Sequence, residues 1–131
     1  FAVKKALEKG CEQVVLLGAL GGRMDHTMAN LQTLIFLQEQ GVRAWAADEA
    51  QEITVLGEGV HSIPARKGWY LSFFSCGESA KGISLKGVKY PLSNAEITYL
   101  WPVGVSNEFE EPEAQVSVLE GKLYCMLCKM E

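Results

Sequence analysis

Long apolar runs are missing from this sequence, and so is a basic-then-apolar stretch at its start. A helix that crosses a bilayer needs roughly 20 apolar residues, so no membrane partner is expected and a cytoplasmic location is the default. Positive charge is in the minority, with 12 Lys+Arg against 16 Asp+Glu and a formal charge of −4. That balance argues against a nucleic-acid backbone as the main partner. Aspartate is scarce: Asp25 and Asp48 are the sole examples, and no Asp-x-Asp spacing occurs. His26 and His61 are isolated, and nothing at zinc-ligand spacing completes the Cys125-x-x-Cys128 pair. The residues around that pair read as a β-strand, where a separation of three puts the two thiols on opposite faces. Buried thiols, rather than disulfides or metal ligands, are therefore expected of Cys11, Cys76, Cys125 and Cys128, and no metal site is expected in the chain.

What is present is an ordinary globular composition, 48% hydrophobic and 21% charged over 131 residues. A chain of that size can bury roughly two thirds of its unfolded surface. Residues 1–9 carry Val3, Ala6 and Leu7 at helical spacing and stop at Gly10. No capping residue precedes them and the first residue is Phe, which reads as the later part of a longer protein. Residues 14–17 form a continuous apolar run that empties into Gly18, Gly21 and Gly22, as a buried strand of a parallel sheet does. From 25 to 40 the positions Met28, Leu31, Leu34, Ile35 and Leu37 recur with helical period, and residues 42–47 read as a second strand. Strand, glycine loop, helix, strand is part of a Rossmann-like α/β sheet.

Beyond Gly57 the helical periodicity stops. Short alternating segments at 60–63, 69–75, 82–85, 97–101, 114–119 and 122–129 are separated by turn residues, with Glu120-Gly121 expected as a hairpin turn between the last two. A small antiparallel β-sandwich follows from that pattern. The expected division is residues 1–57 for the α/β part and 58–131 for the all-β part.

The strongest chemical feature is Gly18-Ala-Leu-Gly21-Gly22-Arg23-Met-Asp25-His26, leading into a helix that contains Asn30. Glycines after a strand let backbone approach an anion, a helix N-terminus offers unpaired N–H groups, and Arg23 adds a fork of donors suited to phosphate. It is neither a Walker A loop nor a Gly-x-Gly-x-x-Gly fingerprint. A tight turn with Asp25 as cap and Arg23 paired to a carboxylate uses the same residues. Asp48, Glu49 and Glu52 read as a solvated turn, as does the acidic loop with Glu108, Glu110, Glu111 and Glu113. Trp45, Trp69 and Trp101 lie in apolar segments and are expected in the core. In Gly104-Val-Ser106-Asn107-Glu-Phe109, two small polar side chains beside an aromatic suit the edge and face of a heteroaromatic ring, but residues alone favour a turn with a packed Phe.

Two blocks together carry a family resemblance. GALGGRMDHTMANL resembles the Gly-Gly-Arg-x-Asp-His…Asn signature of thiamine pyrophosphokinases. GWYLSFFSCGESAKGISLKGVKYPLSNAEITYLWPVGVSNEF resembles that family's β domain, with its Lys-Gly-x-x-Leu-Lys-Gly-x-Lys-Tyr-Pro-Leu run and Gly-x-Ser-Asn element. The resemblance implies transfer of a diphosphoryl group from ATP to thiamine, giving thiamine diphosphate and AMP with Mg²⁺, in a homodimer. It implies that Gly21, Gly22, Arg23, Asp25 and His26 lie by the ATP phosphates, with Arg23 and Asp25 catalytic and Asn30 supporting the loop. It also implies that Ser106 and Asn107 contact the aminopyrimidine of thiamine and that Phe109 covers the ring.

One departure matters. The family's Gly-Asp-x-Asp-Ser and Asp-x-Thr-Asp elements, which would hold Mg²⁺, do not occur in this chain and are expected upstream of it. The chain is thus expected to be inactive alone. A nucleotide- or thiamine-binding regulatory module is the alternative from another functional class, and a different transferase sharing the glycine loop is a third.

Overall fold

The computed structural model describes residues 2–131; Phe1, the start of the expected first helix, lies outside them. The chain divides into two compact units, Phe1–Thr54 and Val55–Glu131.

In the first unit, α1 (Ala2–Glu8) is followed by β1 (Gln13–Leu17), α2 (Met24–Glu39), β2 (Arg43–Ala47) and the start of β3 (Gln51–Leu56). β1 and β2 are parallel, paired from Gln13↔Arg43 to Leu17↔Ala47, so α2 is the crossover that a parallel pair requires. Leu31, Leu34 and Leu37 are the buried residues of α2, and Ala44, Ala46 and Ile53 are buried in the sheet. Removing each of those leucines from water contributes about 2 kcal/mol. β3 returns antiparallel to β2 after a turn in which the Asp48 carboxylate accepts the N–H groups of Ala50 and Gln51, each at 2.8 Å. The expected solvated turn at Asp48 is there.

β1 departs from the expected fully buried strand. Its alternate residues Val15 and Leu17 are 55% and 79% exposed, because its other face carries the half-buried Val14 and Leu16 and the odd-numbered face is left bare.

The second unit holds seven strands: β4 (Gly59–Pro64), β5 (Trp69–Ser75), β6 (Ser79–Lys86), β7 (Leu92–Thr98), β8 (Gly104–Asn107), β9 (Glu113–Val118) and β10 (Leu123–Lys129). They form an antiparallel sheet in the order β4-β9-β6-β7 and a second antiparallel group in the order β10-β5-β8. Leu71, Phe73, Leu123, Cys125 and Leu127 from the second group pack with Ile83, Leu85, Ile97, Val116 and Val118 from the first. Alternation along each strand places these residues inward, which is the sandwich expected from the sequence pattern.

Four expectations fail here. Glu120-Gly121 is no hairpin turn: β9 and β10 belong to different sheets, and Glu120 instead bridges Lys81. β7 ends at Thr98, and residues 99–101 leave the sheet, so Trp101 is 71% exposed rather than core. The segment at 104–107 is a strand, β8, not a turn. Gly104 permits it, since a Cβ there would stand 3.0 Å from the Phe73 carbonyl oxygen. Cys11 is exposed, in the stretch between α1 and β1, whereas Cys125 is buried within β10.

Candidate functional site

The loop between β1 and α2 takes its shape from glycine. Gly18, Gly21 and Gly22 have φ of 69°, 81° and 67°, a left-handed region that costs other residues roughly 1–2 kcal/mol. No atom lies within 4 Å of a Cβ built at any of the three, so backbone conformation, not crowding, requires glycine here. Two side chains of α2 tie the loop down. The Asn30 amide donates to the buried Ala19 carbonyl at 3.0 Å, and the Thr27 hydroxyl donates to the Gly21 carbonyl at 3.3 Å.

Arg23 stands at the N-cap of α2 in an extended conformation and makes no side-chain cap hydrogen bond. Its guanidinium grips Asp25 with both forks, Nε to Oδ1 at 3.1 Å and Nη2 to Oδ2 at 2.6 Å. Oδ1 also accepts the His26 N–H at 2.9 Å. Both partners of the ion pair are largely exposed, where such pairs contribute about 0–1 kcal/mol. The arrangement is an exposed turn with helix N–H groups, an exposed cation and an exposed imidazole, suited to an anion. All five expected residues of this motif, together with Asn30, are brought to one loop and the first turns of one helix.

The second cluster is built on β8. Ser72 on β5 is opposed by two residues of β8, Val105 and Ser106, between the pairs Leu71↔Asn107 and Phe73↔Gly104. This is a β-bulge, a device that bends a strand and re-aims a side chain. Ser106 adopts φ 60° without being glycine, is exposed, and donates its N–H to the Ser72 hydroxyl at 2.9 Å. Asn107 is 3% exposed: Oδ1 accepts the N–H groups of Tyr90 at 2.9 Å and Glu108 at 3.0 Å, and Nδ2 donates to the Tyr90 carbonyl at 2.9 Å. One amide hydrogen of Asn107 is left over from those three bonds. Phe109 is half-buried, bridged to Val88 and packed against the sandwich core. Beside them Lys89 meets Glu108 at 3.5 Å, and that carboxylate holds the Lys89 ammonium above its ordinary range.

Sequence reasoning missed Ser72 and the Tyr90 backbone. Ser72 had a signal, a lone small polar residue in the otherwise apolar Trp-Tyr-Leu-Ser-Phe-Phe run. The Tyr90 clasp is a long-range backbone contact with no signature in sequence.

Other titratable groups give no site. Burial pushes the Cys76 thiol up to about 12 despite nearby Lys122, and pushes Tyr124 up to about 12 with help from Cys76. Among the described residues no three His, Cys, Asp or Glu side chains come together to hold a metal ion. With both oxygens of Asp25 engaged by Arg23, the donor set does not fit Mg²⁺.

Comparison with known proteins bears on both clusters. Residues 1–46 match the family described as "Thiamin pyrophosphokinase, catalytic domain", and residues 60–123 match "Thiamin pyrophosphokinase, vitamin B1 binding domain". A thiamine pyrophosphokinase of Bacillus subtilis (strain 168) is 30% identical over 124 residues, which are 94% of this chain and 58% of that protein. The crystal structure of thiamine pyrophosphokinase from Bacillus subtilis superposes with a TM-score of 0.93 at 29% identity, over 98% of this chain and 60% of that one. The enzyme of Geobacillus thermodenitrificans gives 0.88 at 27% identity, over 98% and 59%. This chain therefore spans about three fifths of the length of these relatives. With the glycine loop in the segment matched to the catalytic domain and the β8 bulge in the segment matched to the vitamin B1 binding domain, the chain belongs to the thiamine pyrophosphokinase family.

Proposed function

We propose that these 131 residues supply the glycine-loop side of an ATP site and a thiamine-binding β-sandwich in an enzyme that makes thiamine diphosphate and AMP. In this reading residues 1–57 and 58–131 carry the two roles. The observation that carries this reading is the open, glycine-shaped turn that ends on the α2 N-terminus, where Arg23 at the N-cap makes no side-chain cap hydrogen bond. In the reaction the hydroxyethyl oxygen of thiamine attacks the β-phosphorus of ATP, the bond to the α-phosphate oxygen breaks, and AMP leaves.

Gly21 and Gly22 let the backbone come close to the phosphates, Arg23 turns from Asp25 to a phosphate oxygen, and His26 adds a donor on the same turn. Asp25 holds Arg23 in place until then, and Asn30 with Thr27 keeps the loop shaped. Ser106 hydrogen-bonds the edge of the aminopyrimidine, Asn107 adds its remaining amide hydrogen, and Phe109 covers the ring face. Phosphoryl transfer depends on positioning and charge neutralisation, so Mg²⁺ belongs to this reading, with carboxylate ligands from outside these residues. A homodimer also belongs to the reading, supported by the exposed apolar side chains of Tyr99, Leu100, Trp101, Val103 and Val105. No described helix is long and apolar enough to cross a membrane. A cytoplasmic location belongs to the same reading.

The test is ATP and thiamine binding to this chain by calorimetry. Arg23→Ala is expected to weaken ATP about tenfold, the scale of a charge-assisted hydrogen bond, with an unchanged thermal midpoint. Equal ATP affinity would remove Arg23 from the phosphate site. Incubation with ATP, Mg²⁺ and thiamine is expected to give no thiamine diphosphate from this chain alone, and a normal turnover rate would contradict the need for further carboxylates.

A further inference from the structure

Two of the described residues are both polar and buried, Ser72 and Asn107, and both hold the same strand end. We infer that Ser72 is a positioning residue for thiamine: its hydroxyl fixes Ser106 in the left-handed conformation that presents the Ser106 side chain to the aminopyrimidine. The inference rests on the reading of Ser106 as a thiamine contact.

The physical argument starts from the backbone. A serine at φ 60° sits in a region that L-residues avoid, at a cost of roughly 1–2 kcal/mol. A residue stays there when its surroundings over-determine it, and such outliers collect at functional sites. Here the Ser106 N–H cannot enter the regular ladder, because two residues of β8 stand against one of β5. Ser72 provides the acceptor at 2.9 Å, and it is 6% exposed, so water does not readily replace it. Alternation sends Leu71 and Phe73 into the sandwich core and Ser72 to the opposite face of the sheet. Ser72 thus contributes little to the core but sets the geometry of the bulge. Without the hydroxyl, Ser106 relaxes toward extended backbone, which turns its side chain away.

The same unit contains a built-in control. On β7, Asn94 has φ 48° and donates its N–H to the Ser84 hydroxyl of β6 at 3.2 Å, within another register shift. The two serines hold similar bulges, and Ser106 alone belongs to the proposed thiamine site. If Ser72 were merely structural, the two alanine variants would behave alike.

The experiment measures thiamine affinity of this chain by calorimetry, together with the ³J(HN–Hα) coupling and amide exchange of residue 106 by NMR. Ser72→Ala is expected to weaken thiamine about tenfold, the scale of one lost hydrogen bond, and to expose the Ser106 amide to exchange. Ser72→Thr keeps the hydroxyl and is expected to restore affinity and protection. Ser84→Ala is expected to lower the thermal midpoint and leave thiamine affinity as it was. Should the alanine chain fail to fold, Ser72→Cys keeps the volume with a weaker acceptor and is expected to weaken binding in the same sense. Unchanged affinity in Ser72→Ala or Ser72→Cys, or equal losses in Ser72→Ala and Ser84→Ala, would overturn the positioning role and leave the thiamine reading intact. Absence of thiamine binding in the unaltered chain would overturn that reading and this inference with it.

Discussion

The glycine loop and the β8 bulge both depend on left-handed backbone, and they obtain it by opposite means. In the loop, Gly18, Gly21 and Gly22 carry no Cβ and adopt that conformation without steric cost, with Asn30 and Thr27 steadying the turn from α2. In the bulge, Ser106 takes it at a cost and is held by a buried hydroxyl, while Asn107 clasps the neighbouring Tyr90 backbone. On the proposed function, the difference follows from what each region would offer a ligand. A loop that offers backbone N–H groups gains from having no side chains in the way. A strand that offers a side chain hydroxyl must keep one, so the strain is offset by a partner instead.

Variants can break that contrast, and the largest effect is expected at Asn107. Asn107→Ala leaves the Tyr90 N–H and C=O and the Glu108 N–H without their partner, and should lower stability by about 2–3 kcal/mol in urea unfolding. A loss under about 0.5 kcal/mol would mean that the clasp is replaced by water and does not hold β8. Next come Gly21→Ala and Gly22→Ala, each expected to destabilise by about 1 kcal/mol, because the space is open but the backbone is not suited to a side chain. The opposite sign is expected at Ser106→Gly, which relieves strain: stability should rise by up to about 1 kcal/mol while thiamine affinity falls. If Ser106→Gly destabilised as Gly21→Ala does, the contrast would fail. Asp25→Asn should change stability by less than about 0.5 kcal/mol, as an exposed ion pair requires, and show its effect in ATP affinity instead.

How much of this was legible in sequence varies by element. α2 was readable because Leu31, Leu34 and Leu37 keep one period and all three are buried together. β5 was placed at its true ends because Trp69 to Ser75 is bounded by turn residues. The β9–β10 corner was not readable: Glu-Gly between two apolar runs looks the same whether the chain reverses in one sheet or crosses to another. β8 was hidden for a related reason. Four residues with a bulge show no alternation, and their pairing partner lies more than 30 positions away at Ser72. The loop motif could be read residue by residue, since its chemistry is local. The support of Ser106 could not, since it is tertiary.

Stability also depends on pH. Burial favours the protonated forms of Cys76 and Tyr124, whose pKa values rise from 9.0 and 10.0 to about 12 each. Above the ordinary values the unfolded chain gives up protons that the folded one keeps, so the contribution of these two groups to stability is constant below about pH 9 and falls as pH rises toward 12. Thermal midpoints should decline across that window. Cys76→Ser should remove the part that begins near pH 9, and Tyr124→Phe the part that begins near pH 10.

The most direct test of the two-site account is an ¹⁵N-labelled NMR titration of this chain with ATP and, separately, with thiamine. ATP should shift the amides of residues 21–30 and leave those of 104–109 in place. Thiamine should shift the amides of residues 72 and 104–109 and leave the glycine loop in place. Thiamine shifts confined to other residues, or ATP shifts that bypass Gly21, Gly22 and Arg23, would contradict it.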